Sequence, residues 1–326
     1  MDRLLPPLDP AGYRPHPLHA GDRIWPETNC YVDLWIELLH AMGQDPLAAL
    51  PFTVEQDFEG DQFTFFKMPL EDLHALYGLR VQELAIYDTV EAHAAEQLRR
   101  GCVTLIEVDS FYLPDTRGVA YRDQHVKTTI AVASLDREGR RLTYFHNAGL
   151  FALEGEDYDG VFRRLPHLRA QPDLLFPYVE FVKRAGAVRQ GATLLDASLG
   201  LLGHHLRGRP ARNPITAFRE EFPRHQERLA ERPMGYFHDY AFNLLRQFGA
   251  NMELLGSYTQ WLEGQGQGGL ADVRKSCIAV ATDAKTLQFQ LARAVSRKRF
   301  GDYSDLLDRM ERAHDTALNG LAQRYG

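Results

Sequence analysis

The sequence predicts an α+β protein in which a helix and an antiparallel sheet are followed by a mostly helical C-terminal half. Residues 102–146 hold short β-prone runs separated by polar turns, a pattern typical of strands. Beyond about residue 172 every predicted element is a helix, with glycines and prolines between successive helices. We therefore expect an α+β catalytic domain over residues 1–170 and a helical domain over residues 171–326 that packs on it.

The N-terminal half is organised around one predicted helix that starts after residue 28. Apolar residues at positions 31, 34, 35, 38, 39 and 42 form one face. Thr28 and Asn29 are good N-cap residues, and Gly43 suits the C-terminal end. Cys30 then lies in the first turn, where free backbone N–H groups and the helix dipole stabilise a thiolate. This makes Cys30 a candidate nucleophile; the alternative is an ordinary buried cysteine.

The other elements follow in chain order. Residues 1–25 are rich in proline and predict an extended arm. Strands are expected over 61–68 and 102–109, helices over 70–77 and 89–100, and a hairpin over 126–133 and 141–146. Further helices are expected over 172–185, 190–206, 214–230, 235–263, 270–298 and 303–324.

Three residues from separate elements have the types that thiol catalysis requires. His125 opens one strand of the hairpin and Asn147 follows the other, so antiparallel pairing predicts that they are neighbours. His125 would take the proton of Cys30, and Asn147 would orient the imidazole. The Cys30 backbone N–H, with Thr28 or Asn29, would bind the oxyanion. The order Cys, His, Asn along the chain is that of papain-like enzymes.

Two further residues are candidates for substrate binding. Asp109 ends a predicted strand and would bind a substrate ammonium group or brace His125, although it also suits a turn cap. Tyr112 follows in the same loop. Cys102 and Cys277 fall within a strand and a helix and are expected in the core.

No metal site is expected. The histidines His16 and His19, and the pair His204 and His205, have no cysteine or carboxylate at ligand spacing.

Composition restricts the classes of function. The 326 residues are 44% hydrophobic and 25% charged, as in globular proteins, and no apolar run is long enough to span a membrane. A net charge of −7 argues against nucleic acid as the main partner. Three scattered cysteines and no secretory signal indicate a cytoplasmic protein.

Two resemblances give these residues a context. Residues 105–114, residues 125–132 and the strand that ends at Asn147 resemble the papain-like N-terminal domain of butirosin-type acyltransferases. Residues 27–35 (Glu-Thr-Asn-Cys-Tyr-Val-Asp-Leu-Trp), with the same later blocks, resemble a bacterial family catalogued as domain of unknown function 1839.

The resemblances imply a papain-like core and an acyl or aminoacyl transferase with a Cys30–His125–Asn147 triad. The acyl group would arrive as a carrier-protein thioester, on the phosphopantetheine arm of an acyl or peptidyl carrier protein, and pass to a small amine; no bound cofactor is implied. Papain-like proteases place a glutamine six residues before the cysteine, and this chain has Ile24 there, which argues against proteolysis in particular.

Other readings stay open. Water would replace the amine in a thioesterase, amidase or peptidase, and a papain-like scaffold without catalysis would bind a partner. Four basic residues near a predicted helix end fit either a patch for an acidic carrier protein or favourable placement against the helix dipole; they are Arg293, Arg297, Lys298 and Arg299.

Overall fold

The computed structural model describes residues 3–19, 21–171 and 175–326, and the chain forms two compact units. The first unit takes the chain up to Gly21, then Asn29–Pro46 and Leu73–Arg189. The second takes Asp22–Thr28, Leu47–Asp72 and Gln190–Gly326. No helix in the described ranges is both long and apolar enough to cross a membrane.

The first unit is built on a six-stranded sheet in which all neighbouring strands are antiparallel. The spatial order is β1-β6-β2-β3-β4-β5. The predicted hairpin is confirmed as β3 and β4. The strands are β1 (Leu79–Glu83), β2 (Val103–Asp109), β3 (Lys127–Asp136), β4 (Arg141–His146), β5 (Gly149–Glu154) and β6 (Val179–Arg184).

The helices confirm the α+β class, with a helical C-terminal half. They are α1 (Cys30–Ala41), α2 (Leu70–Tyr77), α3 (Val90–Arg99), α4 (Glu156–Val161), α5 (Pro166–Arg169), α6 (Gly191–Gly208), α7 (Pro214–Glu231), α8 (Met234–Tyr240), α9 (Arg246–Gly264), α10 (Ala271–Arg297) and α11 (Ser304–Tyr325).

The sheet buries both of its faces because side chains alternate along each strand. Ile130 and Tyr144 pack with Tyr158 of α4 in the main apolar core. On the opposite face, α1 contacts β3 and β4. The arm that precedes α1 is tied to the same region, because the Tyr13 hydroxyl donates to Glu37 of α1 while the Tyr13 ring packs edge-on against Phe145 of β4.

In the second unit, helices from the C-terminal half of the chain pack against aromatic side chains that come from segments before residue 73. The Trp25 indole N–H donates to the carbonyl of Ala281 in α10, at 3.0 Å. Phe63 stacks on Phe248 of α9 with ring centroids 4.3 Å apart. A single π-helical turn, Ala241–Leu245, joins α8 to α9.

Two predictions of secondary structure were wrong. The helix expected over 172–185 is replaced by β6, because Val179 and Val182 pair with the neighbouring strands β1 and β2; residues 172–174 of that range lie outside the described part of the chain. The strand expected over 61–68 shrinks to one isolated bridge between Phe58 and Phe63, whose rings are buried.

Candidate active site

A histidine and an aspartate meet where β2 ends and the chain returns to β3. Asp109 is the last residue of β2, and a loop of two short 3-10 turns brings His125 back to it. The Nδ1 atom of His125 lies 2.5 Å from Oδ2 of Asp109, and the imidazole stacks on Phe111 with centroids 4.5 Å apart. The other Asp109 oxygen accepts the backbone N–H of Phe111 at 3.0 Å. Both the position and the tilt of the imidazole are thereby fixed.

This arrangement leaves the second ring nitrogen of His125 available. In the neutral tautomer that donates Nδ1–H to Asp109, the lone pair is on Nε2, which has no partner among the described residues. The His125 side chain is 69% exposed, so the lone pair is open to an incoming molecule. A carboxylate that orients an imidazole is the arrangement of a general base.

The His125–Asp109 pair lines a cavity of about 610 Å³ in the first unit. Its wall is mainly apolar and aromatic, and comprises Val108, Tyr112, Val161, Leu168, Leu175, Phe176 and Tyr178. Two cations reach it: Lys127, which ion-pairs with Glu107 at 2.8 Å, and Arg163, whose pKa is lowered by burial. The cavity combines an apolar body with a few polar groups, the usual character of a small-molecule site.

Tyr112, predicted as a substrate contact, lies in this cavity with its ring buried. Its hydroxyl is 3.3 Å from Nε2 of His167, and burial raises its pKa. Asp109 contacts His125 with one carboxylate oxygen and caps the following turn with the other, so both of the arrangements considered for it are present.

Cys30 is the first residue of α1, as predicted. It is half-buried, whereas Cys102 and Cys277 are buried. Burial raises the pKa of Cys102, and raises that of Cys277 to about 12. Among the described residues no hydrogen bond joins Cys30 to His125.

A hydrogen-bonded chain leads from the start of α1 to the cavity wall. The hydroxyl of Tyr31, the residue after Cys30, donates to Glu180 of β6 at 3.1 Å. The other oxygen of Glu180 accepts the hydroxyl of Tyr178, a wall residue, at 3.0 Å. Burial raises the pKa of Tyr31, so this hydroxyl stays protonated. The N-terminus of α1 is therefore anchored beside the strand that supplies part of the cavity wall.

Asn147 does not lie opposite His125. The register pairs Ala131 with Phe145, so its continuation faces Asn147 with Thr129. His125 lies four residues before Thr129 in the chain, about 13 Å away at the usual rise of a strand. Asn147 instead turns the chain from β4 to β5 with a left-handed φ of 45°. His125 and Asn147 were expected to be neighbours because the start of β3 was assumed to pair with the end of β4. The catalytic role of Asn147 stays a prediction.

The two predicted oxyanion residues lie in different surroundings. The Asn29 side chain caps α1 by accepting the backbone N–H of Val32 at 2.9 Å, and the residue is buried. Thr28 is also buried, and it belongs to the second unit.

Sequence reasoning missed a buried polar network beside the core. Both ring nitrogens of His146 have a hydrogen-bond partner: Nδ1 lies 2.5 Å from Asp115 Oδ2, and Nε2 lies 2.8 Å from Thr128 Oγ1. Tyr144 donates to the other oxygen of Asp115 at 2.5 Å. The signal was the alternation of β4, which turns Tyr144 and His146 to the same face. Because every one of these groups is satisfied and buried, we read the network as structural.

The histidines considered for metal binding have other partners. His19 lies between Asp33 and Glu37, and His205 contacts Asp72 at 2.7 Å and Glu55 at 3.0 Å. Within the described residues, no group of three or more histidine, cysteine or acidic side chains is arranged to hold a metal ion.

Comparison with known proteins gives two matches. A model of the DUF1839 N-terminal domain matches residues 14–184, and a model of the DUF1839 C-terminal domain matches residues 191–323. No curated protein matches the chain. Likeness to the butirosin-type acyltransferases is not among these matches.

Proposed function

Since this chain belongs to the DUF1839 family, over both its N-terminal and C-terminal domains, we propose that its first unit is the catalytic half of an acyl or aminoacyl transferase. His125, braced by Asp109, is the general base, and Cys30 carries the acyl group. The single observation behind the proposal is the oriented His125–Asp109 pair at a largely apolar cavity of about 610 Å³. A papain-like core is part of this proposal.

The reaction has two balanced steps. First, Nε2 of His125 takes the proton of the Cys30 thiol, the thiolate attacks the carbonyl of a thioester, and the carbon–sulfur bond to the donor breaks. The donor leaves as a thiol that takes this proton from Nε2. An amine then attacks the Cys30 thioester, Nε2 of His125 accepts the proton that the amine loses, and the bond between the acyl carbon and Sγ of Cys30 breaks. The proton passes from Nε2 to the Cys30 sulfur. The amide leaves, and Cys30 is free again. A carrier protein with a phosphopantetheine arm is the proposed donor, and the cavity takes the acyl chain.

Cys30 enters the proposal through its position. It is the least buried cysteine of the chain, it starts a twelve-residue helix, and the next residue is hydrogen-bonded to the strand beside the cavity. The dipole and the free N–H groups of that helix end favour both a thiolate and an oxyanion.

The base is tested with a small donor, the octanoyl thioester of N-acetylcysteamine, and a primary amine. We expect His125→Gln and Asp109→Asn to slow amide formation by about a hundredfold or more, since general bases contribute about 10²–10⁴. The control is His204→Gln, an exposed histidine of the second unit. Unchanged rates in both site variants would exclude the His125–Asp109 pair as the base.

The nucleophile is tested separately. Iodoacetamide labelling across pH, followed by peptide mass spectrometry, reports Cys30, Cys102 and Cys277 individually in the native protein. We expect Cys30 to be labelled faster than Cys102, and Cys277 to stay unlabelled because it is buried. An acyl adduct on Cys30 that is lost in Cys30→Ala completes the test.

The same experiments separate the alternatives. Octanoate as the product, with or without added amine, indicates a thioesterase or another thiol hydrolase. Slow, ordinary labelling of Cys30 together with no turnover of the thioester would rule out the enzyme and favour a scaffold that binds a partner.

A further inference from the structure

A second cavity, of about 330 Å³, lies wholly within the second unit. It is formed by the segment around Trp25, by the π-helical turn and the start of α9, and by the middle of α10. None of its residues belongs to the candidate active site.

Lys285 of α10 lines this cavity and packs against aromatic rings without an ion-pair partner among the described residues. Its ammonium nitrogen lies 4.1 Å from the centroid of the Trp25 ring and 5.9 Å from that of Phe289. No described carboxylate forms an ion pair with it. Burial lowers the pKa of Lys285, and the nearby Arg246 guanidinium lowers it further, whereas Glu253 acts in the opposite direction. The positive charge of Lys285 is thus only partly compensated by the protein.

Arg246 brings a second positive charge to the same cavity. Its guanidinium lies 3.3 Å from the centroid of Phe242 and forms an ion pair with Glu27 at 3.1 Å. Glu27 is 60% exposed, so water screens much of that ion pair. Because Arg246 and Lys285 repel each other, an anion placed between them would relieve the repulsion.

One acceptor in the cavity is also without a partner. Gln288 lines this cavity, and its side-chain oxygen Oε1 is shielded from solvent and accepts no hydrogen bond from a described residue. Leaving a buried acceptor without a donor is unfavourable, so such an atom is expected where a ligand supplies the donor. The π-helical turn beside it is a further sign, since single π turns are frequent at functional sites.

We propose that this cavity binds a small organic carboxylate with an apolar or aromatic body and a hydrogen-bond donor. The carboxylate lies against Lys285 and Arg246, the body lies between Trp25 and Phe242, and the donor reaches Oε1 of Gln288. This chemistry is that of a hydroxy or amino acid with a flat or branched side chain. The site is independent of the acyl-transfer chemistry proposed for the first unit.

Calorimetric titration of the full chain tests the proposal. The probe is 4-hydroxybenzoate, with 4-hydroxybenzamide as its uncharged counterpart. We expect saturable binding of the acid, and binding of the amide that is weaker by about tenfold or more, because the neutral amide lacks the charge that Lys285 and Arg246 would contact. Lys285→Met should weaken binding of the acid by a similar factor. The matched control is Lys275→Met, which removes an exposed lysine from the same helix.

A measurement on the unmodified chain guards against a variant that misfolds. Lysine acetylation by acetic anhydride, read by peptide mass spectrometry, compares Lys285 with Lys275 in the presence and absence of 4-hydroxybenzoate. We expect the acid to slow acetylation of Lys285 at least about tenfold when near saturation and to leave Lys275 unchanged. No saturable binding, equal binding of acid and amide, or unprotected Lys285 would each overturn the proposal.

Discussion

Raising the pH through 9 should remove one of the interactions that hold the N-terminal arm to α1. The His19 side chain is fully shielded from solvent, with Nδ1 2.5 Å from Glu37 and Nε2 3.1 Å from Asp33. Burial by itself lowers the pKa of His19. The hydrogen bonds and charges of Asp33 and Glu37 outweigh this effect and raise the pKa from 6.5 to about 9.

The size of the effect follows from the difference between the folded and unfolded pKa values. A rise of the folded pKa from 6.5 to about 9, at 1.36 kcal/mol for each pKa unit, corresponds to about 3 kcal/mol. Because the folded pKa is the higher one, this stabilisation is fully present below pH 6.5 and is lost as the pH rises through 9. A neutral ring donates from only one nitrogen, so one carboxylate would then lose its donor.

The assay is urea unfolding of the native chain and of His19→Gln between pH 6 and 10. We expect the unfolding free energy of the native chain to fall by up to about 3 kcal/mol more than that of His19→Gln over this range. His74→Gln, which removes an exposed histidine of the same unit, should keep the native slope. Equal slopes for the native chain and His19→Gln, or an NMR titration of the His19 ring with a midpoint near 6.5, would refute the reasoning.

Three further predictions concern the second unit. His314 is buried and its pKa is lowered to about 4 by burial, so acid should cost the native chain up to about 3 kcal/mol more than His314→Gln between pH 6.5 and 4, and equal acid slopes in urea unfolding would contradict this. Gly249→Ala would place a methyl group 2.4 Å from the Trp25 ring and should lower the thermal midpoint, since overpacking costs about 1–3 kcal/mol. The methyl group of Gly200→Ala in α6 would meet nothing within 4 Å. Because alanine favours a helix over glycine by about 1 kcal/mol, this variant should instead have a higher thermal midpoint than the native chain.

The sequence was most informative where local signals were strong. The N-cap at Asn29 and the apolar spacing after it predicted α1 closely, and the polar turn after Asp136 predicted the β3–β4 hairpin. It failed at β6, because Val179–Arg184 becomes a strand through pairing with two strands that lie some 75 to 100 residues earlier in the chain. Hydrophobic periodicity and strand propensity are local signals and do not report pairing with distant strands.

The candidate site was predictable in its residues but only partly in its contacts. His125 and Asp109 were both candidates, and their meeting follows from the pairing of β2 with β3, whose register sets Asp109 opposite Lys127. The displacement of Asn147 depends on strand register and on a tight turn, which the spacing of His125 and Asn147 alone does not determine. The cavity around Lys285 left no pattern in the sequence, because Trp25 and Lys285 are 260 residues apart.

The division of the chain into interleaved segments has a consequence for its synthesis. Every residue of the first unit precedes position 190, so that unit is complete as a sequence before most of the second has left the ribosome. Trp25 and Phe63 belong to the second unit, and their partners Ala281 and Phe248 emerge about 180 to 260 residues later. During elongation these aromatic side chains stay without their native neighbours. The nascent chain therefore presents exposed apolar surface of the kind that chaperones bind, until the C-terminal helices arrive.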